Sequence, residues 1–452
     1  MTKPYSSRSD GLFGPMFGTP AAAERTSAAA WLQAMLDFES ALATAQARAG
    51  VIPLPAAAEI ARRCRVELFD VDSIAERAVS SATPVIALVR DLTALLDDDA
   101  KPHLHKGATS QDVIDTAAML IARDVLGLII DDLRAAADEC ARLAEQHRDT
   151  VMIARSLLQQ ALPTTFGSRC ATWLTSLDES VTALERIRGE RLAVQFGGAA
   201  GTLAALGPDG VEVLALLATE LGLAEPVTPW HTDRTRIAEL AGALGTAAGA
   251  LGKIALDVEL HAQTEVGELA DGQAGGSSAM PHKQNPVSAV LVTAATRRVP
   301  GLVATLLSAM PQEYERAAGA WQSEWEPLTE LLRLVAAAAA QTRQLLTGLR
   351  VHPGKMIANL DLTRGLVMAE SAAGRLMDSL GRTEAQELVG GLCRRAVQEG
   401  TTLRAELLAD QQVRAVLSEA EVVAATEPGG YLGSAPAFID RALTAHAELE
   451  KR

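Results

Sequence analysis

The sequence predicts an all-α protein: three helical domains around a central bundle of long helices. Three observations predict it. Of 452 residues, 48% are hydrophobic but only 3% aromatic, so the core is built mainly of Ala, Leu and Val, which lets helices pack closely. Several stretches of twenty to forty residues carry apolar side chains at helical spacing with almost no interior proline. No strand-like alternation of useful length competes with them.

The elements follow in order. From Asp112 to Asp149 there is no proline and a single glycine, Gly127, with Ile114, Ala118, Ile121, Val125, Leu128 and Ile129 in helical register. Thr109, Ser110 and Asp112 supply N-cap chemistry at its start. A second long helix is expected from about Asp233 to Leu269, and a third from Val287 to about Met310 after Pro286. A fourth follows Pro327, from Leu328 to Leu349. Helices this long pack lengthwise as a bundle. The alanine run Ala336 to Ala340 lies inside the fourth and reads as close packing. Pro102 and Pro353-Gly354 mark the boundaries, giving an N-terminal domain of residues 1–103, a central bundle of 104–350 and a C-terminal domain of 351–452. Alanine-rich faces of this length exceed what one subunit can bury, so association is expected; the competing reading is that they are internal core.

Charge and cysteine usage exclude several classes. A formal charge of −15 argues against a nucleic-acid partner and requires a locally basic pocket for any anionic substrate. Cys64, Cys140, Cys170 and Cys393 are scattered without CxxC or Cys/His spacing, which reads as reduced thiols of a cytoplasmic protein. The first residues carry no signal-like apolar stretch, and no run of about twenty apolar residues predicts a membrane span.

The chemistry is concentrated in a few segments. Gly276-Ser277-Ser278-Ala279-Met280-Pro281-His282-Lys283-Gln284-Asn285-Pro286 combines glycines, two hydroxyls, a lysine and a carboxamide, a mixture no core requires. Glycine lets the backbone approach a ligand, and a serine near a lysine can work as a base. His105-Lys106-Gly107-Ala108-Thr109-Ser110-Gln111-Asp112 places hydroxyls at a helix start, a ready carboxylate site or an ordinary N-cap. Arg155-Ser156-Leu157-Leu158-Gln159 precedes a Pro163-Thr164-Thr165 stretch. Gly197-Gly198-Ala199-Ala200-Gly201 lacks a βαβ context and is either a tight helix–helix turn or a substrate-lining loop.

The 276–286 string resembles the signature loop of the fumarase/aspartase superfamily nearly letter for letter, and the 105–112 and 155–167 segments resemble its first and second conserved regions. Further segments resemble the carboxymuconate-lactonising branch of that superfamily: Leu12 to Gly18, Trp31 to Glu39, Phe196 to Leu203, Pro229 to Thr232, Ala320 to Glu326 and Tyr431 to Pro436. Asp233, Thr235 and Gln386 depart from the pattern. Two larger departures carry more information. Superfamily lyases usually have Thr-His where this chain has Ser156-Leu157, and a glutamate five residues beyond the loop asparagine, where this chain has Val290. That pair protonates a poor leaving group such as an amine or hydroxide. A carboxylate leaves without protonation, so losing both halves fits a reaction that makes or breaks a carbon–carboxylate bond.

The resemblance implies an enzyme acting on a small tricarboxylate, with Ser277 as the catalytic serine and Ser278 the lesser candidate. It implies Lys283 and Asn285 on the carboxylate that takes up charge, Thr109 and Ser110 on a second, and Arg316 forked onto a third. Arg155 and Gln159 would orient the substrate, with His105, His231 and Met280 lining the pocket; His231 packing beside Trp230 is the competing reading. Sites in this superfamily are shared between subunits, so a homotetramer is expected. No metal or cofactor is implied, because the acidic residues lack ligand spacing and the proton transfer needs neither. The alternatives are a fumarate-releasing lyase such as adenylosuccinate lyase, which needs the histidine that Leu157 replaces, and a helical scaffold without activity.

Overall fold

The computed structural model describes residues 11–273, 275–276, 280 and 282–451. The chain is 68% helical. Its principal elements are α1 (Ala28–Arg48), α2 (Leu54–Arg63), α3 (Ser110–Gln146), β1 (Val151–Ser156), β2 (Gln159–Thr165), α4 (Phe166–Arg186), α5 (Gly210–Leu221), α6 (Thr235–His261), β3 (Leu269–Ala270), β4 (Gly275–Gly276), β5 (Gln284–Asn285), α7 (Val287–Thr296), α8 (Val299–Ser308), α9 (Trp325–Thr347), β6 (Arg350–Val351), α10 (Pro353–Asp361), α11 (Ala369–Leu380), α12 (Arg382–Glu399) and α13 (Ala435–Leu449).

The expected long helices at Asp112, Asp233 and Leu328 are present as α3, α6 and α9. The expected single helix from Val287 to Met310 is instead two. Pro300 sits in the first turn of α8, where its ring and missing N–H break continuity with the turn before. Residues Val287–Ser308 are together long and apolar enough to meet a membrane-span criterion, at mean hydropathy 1.4, contrary to the expectation that no stretch would. The break and the pair Arg297-Arg298 interrupt that stretch.

The expectation of no useful strand is also corrected. β1 and β2 form an antiparallel hairpin that pairs Val151 with Thr165 and Ser156 with Gln159, with a bulge between Ile153 and Arg155. The two-residue turn is Leu157-Leu158, both at positive φ (51° and 66°). Tight hairpin turns of this kind normally carry Asn or Gly, and two leucines gave no sign of one.

The chain forms two compact units. One comprises the described residues up to Arg134 with Glu179–Lys253 and Leu291–Arg343. Here α1 begins behind Ser27, whose hydroxyl accepts the Ala30 N–H, and buries Leu36, Phe38 and Leu42 beside α2 and α5. The unit's share of α3 is buried on nearly every side from Gln111 to Ala122, the pattern of a central helix. Ala336 to Ala340 are all buried, so the alanine run is close packing as expected. The unit's core also holds an ion cluster. Arg234, 1% exposed, forks onto Asp115 (2.8 and 3.0 Å) and Glu324 (2.6 Å), while the Trp321 indole donates to Asp115 at 2.9 Å.

The second unit comprises Ala135–Asp178, Ile254–Val290 and the residues from Gln344 onward. It carries the β1–β2 hairpin packed against α10, through Ile153, Leu360 and Met368. A C-terminal core forms around Leu376, Val389, Leu392, Leu403 and Leu407. The four cysteines are free thiols. The fold also gathers Asp138, His446 and Glu450, which sequence spacing could not show. His446 is held there between Asp178 (3.0 Å) and Asp138 (3.2 Å).

Candidate active site

The first conserved region and its partners form one connected group inside the first unit. Ser110 opens α3 and Thr109 precedes it, so the first backbone N–H groups of the helix lack intrahelical acceptors. The Thr109 N–H is taken by Asp112 Oδ2 at 3.0 Å, the half of a capping box in which the third helical residue reaches back. Asp112 is fully buried and also accepts from Gly197 N–H and Gly198 N–H, each at 3.0 Å. Its Oδ1 lies 2.7 Å from His231 Nε2. Burial raises the Asp112 pKa, while the His231 hydrogen bond and charge and the backbone donors favour the ionised form. Gly198 is required here: its φ is +68°, and a Cβ would stand 2.8 Å from the Gly107 carbonyl oxygen.

Arg316 completes this group. Its Nε donates to Gln111 Oε1 and its Nη1 to Thr109 Oγ1, both at 2.7 Å. Gln111 is buried, and its Nε2 donates to the His231 carbonyl at 2.7 Å. His105, in a left-handed conformation (φ 54°), places Nδ1 2.6 Å from Glu39 Oε1. Burial opposes the imidazolium, but the charge and hydrogen bond of Glu39, with the charge of Asp112, outweigh it and raise its pKa. The structure therefore brings Thr109, His231 and Arg316 into one network through Gln111 and Asp112, with Ser110 opening the helix beside them and His105 paired separately with Glu39. His231 is 3% exposed, with its Nε2 held by Asp112 behind the start of α3.

The second unit holds the other expected residues. Arg155, on β1, forks onto Glu268 at 3.0 and 2.8 Å. Glu268 is fully buried and also receives Asn359 Nδ2 at 2.7 Å and His261 Nδ1 at 2.5 Å. Burial works against its charge, but the His261, Arg155 and Asn359 hydrogen bonds prevail and hold its pKa at about 2. Arg155 thus ties the hairpin to the strand β3 that leads into the signature loop. Gln159 is exposed at the start of β2.

The signature loop is tied at its base. Buried Asp271 accepts the N–H of Gln273 (2.9 Å) with one oxygen and that of Ser288 (2.8 Å) with the other. β4 pairs with β5, setting Gly275 opposite Asn285. A Cβ on Gly272 would meet the Gly348 carbonyl oxygen at 2.2 Å, so only glycine allows that approach. Lys283 and Met280 are exposed and Asn285 is half-buried. Ser277 and Ser278 lie outside the described residues. Leu157 at the hairpin turn is 96% exposed and Val290 on α7 is 49% exposed. The two positions where superfamily lyases carry their His/Glu pair are therefore apolar and uncovered in the single chain.

Sequence reading missed Gln111, Asp112, Glu39, Glu268, Asn359 and Asp271 as site residues. Asp112 alone carried a local signal, the capping-box spacing from Thr109. Gln111, Glu39 and Asn359 work through partners far away in sequence, Glu268 through both near and distant ones, and Asp271 through Gln273 and Ser288 beside the loop.

Comparison with known proteins places this geometry in a family. Residues 17–301 match a family described as "Lyase", and residues 365–442 match "Adenylosuccinate lyase C-terminus". The chain belongs to the fumarate lyase (fumarase/aspartase) superfamily. Within it, the chain is 47% identical to 3-carboxy-cis,cis-muconate cycloisomerase of Pseudomonas aeruginosa, over 92% of each chain. It is 43% identical to nitrosuccinate lyase of Streptomyces davaonensis, over 96% of this chain and 94% of that protein. The crystal structure of 3-carboxy-cis,cis-muconate lactonizing enzyme from Pseudomonas putida matches with a TM-score of 0.92 at 42% identity, covering 97% of this chain and 99% of that one.

Proposed function

We propose that this chain is a cytoplasmic cycloisomerase converting 3-carboxy-cis,cis-muconate to 4-carboxymuconolactone in protocatechuate breakdown. The observation that carries the reading is the double replacement of the acid/base pair by Leu157 and Val290, together with the likeness to cycloisomerases over nearly the whole chain. In the lactonising direction a substrate carboxylate oxygen adds to the conjugated double bond. The alkene electrons move onto the carbon beside a second carboxylate, giving an aci-carboxylate, and Ser277 delivers a proton to that carbon. Lys283 and Asn285 stabilise the carboxylate that takes up charge. Thr109, Ser110 and Arg316 hold the remaining carboxylates, and Arg155 acts by anchoring the hairpin to Glu268. Reversal expels a carboxylate, which leaves as a stable anion and needs no general acid.

The active protein is a homotetramer with active sites shared between subunits. Support comes from apolar side chains left open in the single chain: Leu157, Leu158, Leu256, Leu260, Val287 and Val290.

A second reading is favoured by one observation, the 43% identity to a nitrosuccinate lyase. Nitrite also departs as a stable anion, so the same loss of the acid/base pair suits it. Adenylosuccinate lyase chemistry expels an amine and fits Leu157 poorly. Replacing Ser277 by Ala tests the common core of these readings: kcat falls by about 10²- to 10⁴-fold, the usual contribution of a positioned proton donor, and unchanged turnover would refute the assignment.

A further inference from the structure

Arg234, Arg155 and Arg316 differ in their partners. Arg234 is saturated by Asp115 and Glu324, and half-buried Arg155 is matched by Glu268. Arg316 is held by neutral groups only, the Gln111 carboxamide oxygen and the Thr109 hydroxyl. Among the described residues it makes no ion pair. The two carboxylates whose charge it feels, Asp112 and Asp115, are both spoken for. Asp112 is spent on His231 and three backbone N–H groups, and Asp115 on Arg234 and Trp321. A guanidinium fixed by neutral acceptors keeps its charge and the remaining donors of its fork for an incoming anion.

We propose that Gln111 is a positioning and specificity residue, presenting Arg316 as an uncompensated cation to one carboxylate of a polycarboxylate ligand. The proposal rests on the reading of Arg316 as a carboxylate receptor. A carboxamide suits this task in a way its neighbours in size do not. Its oxygen accepts from Arg316 Nε, and its nitrogen donates to the His231 carbonyl, which fixes which end faces the arginine. A glutamate there would neutralise Arg316 and set two oxygens against each other at the His231 carbonyl. A methionine would leave the charge but release the orientation.

The test compares Gln111→Glu, Gln111→Met, Arg316→Gln and the double variant Gln111→Glu/Arg316→Gln. Two readouts are taken: steady-state kinetics on 3-carboxy-cis,cis-muconate, and calorimetric binding of tricarballylate, a saturated tricarboxylate that cannot react. Gln111→Glu is expected to raise KM and the tricarballylate Kd by about 10- to 100-fold, the scale of one charge-assisted contact, with kcat nearly unchanged. Gln111→Met, which adds no buried charge, is expected to do the same to a smaller degree. The double variant should bind no worse than Arg316→Gln alone, which a general structural defect would not produce. If Arg316→Gln weakens binding while neither Gln111 variant does, or if the two effects add, the role of Gln111 is overturned. If Arg316→Gln leaves tricarballylate binding intact, the receptor reading falls, and the role of Gln111 with it.

Discussion

At the scale of single residues, charge is set by partners that lie far away in sequence. The His105 imidazolium is favoured by the charge and hydrogen bond of Glu39, sixty-six positions earlier, and by the charge of Asp112; the other Glu39 oxygen is buried without a partner among the described residues. The folded pKa of His105 is raised above the ordinary value of about 6.5. The contribution of the pair to stability is therefore complete below that value and is lost as pH rises through the raised one. Replacing Glu39 by Gln should lower stability most at pH 6 and flatten its decline toward pH 9, as measured by denaturant unfolding across that range. Parallel profiles for the two proteins would show that the pair does not control the imidazole. His105 was singled out by the motif around it. Glu39, Gln111 and Glu268 were not, because nothing near them in the chain announces the groups they meet.

At the scale of elements, legibility followed periodicity. The helices α3 and α9 repeat an apolar pattern long enough to be read within a few residues of their ends, whereas α6, expected to reach Leu269, stops at His261 and Leu269 begins β3. The β1–β2 hairpin escaped because its turn is Leu157-Leu158, and the α7/α8 break escaped because Pro300 lies inside a continuous apolar run. The signature loop was legible by its letters, while its tethering by Asp271 and Gly272 was not. What joins the start of α3 to the segments before α6 and α9 is the Arg234 cluster, with Asp115 and Glu324 each about 3% exposed. Arg234→Met would leave two buried carboxylates without a counter-ion. It should cost about 3–5 kcal/mol, the usual penalty for breaking a buried pair, with a smaller loss in acid, where Glu324, whose pKa burial raises, takes up a proton more readily. A loss below 1 kcal/mol in urea unfolding at pH 7 would mean that water or rearrangement relieves them.

At the scale of the whole molecule, the all-α class was evident from an alanine-rich, aromatic-poor composition, whereas the way the chain groups into compact units was not, because those units cut across sequence order. The apolar residues open on α6, α7 and the hairpin turn predict association, and sedimentation velocity should find a species of four chains; a monomer at micromolar concentration would contradict shared active sites. The central claim is the reaction. It is tested most directly by following the ultraviolet absorbance of 3-carboxy-cis,cis-muconate with the purified protein, with nitrosuccinate and adenylosuccinate assayed beside it. The account predicts rapid loss of the conjugated-diene band, a lactone product by NMR, and much slower release of nitrite or fumarate from the other two. An unchanged diene band alongside rapid nitrite release would contradict it and make the chain an eliminating lyase.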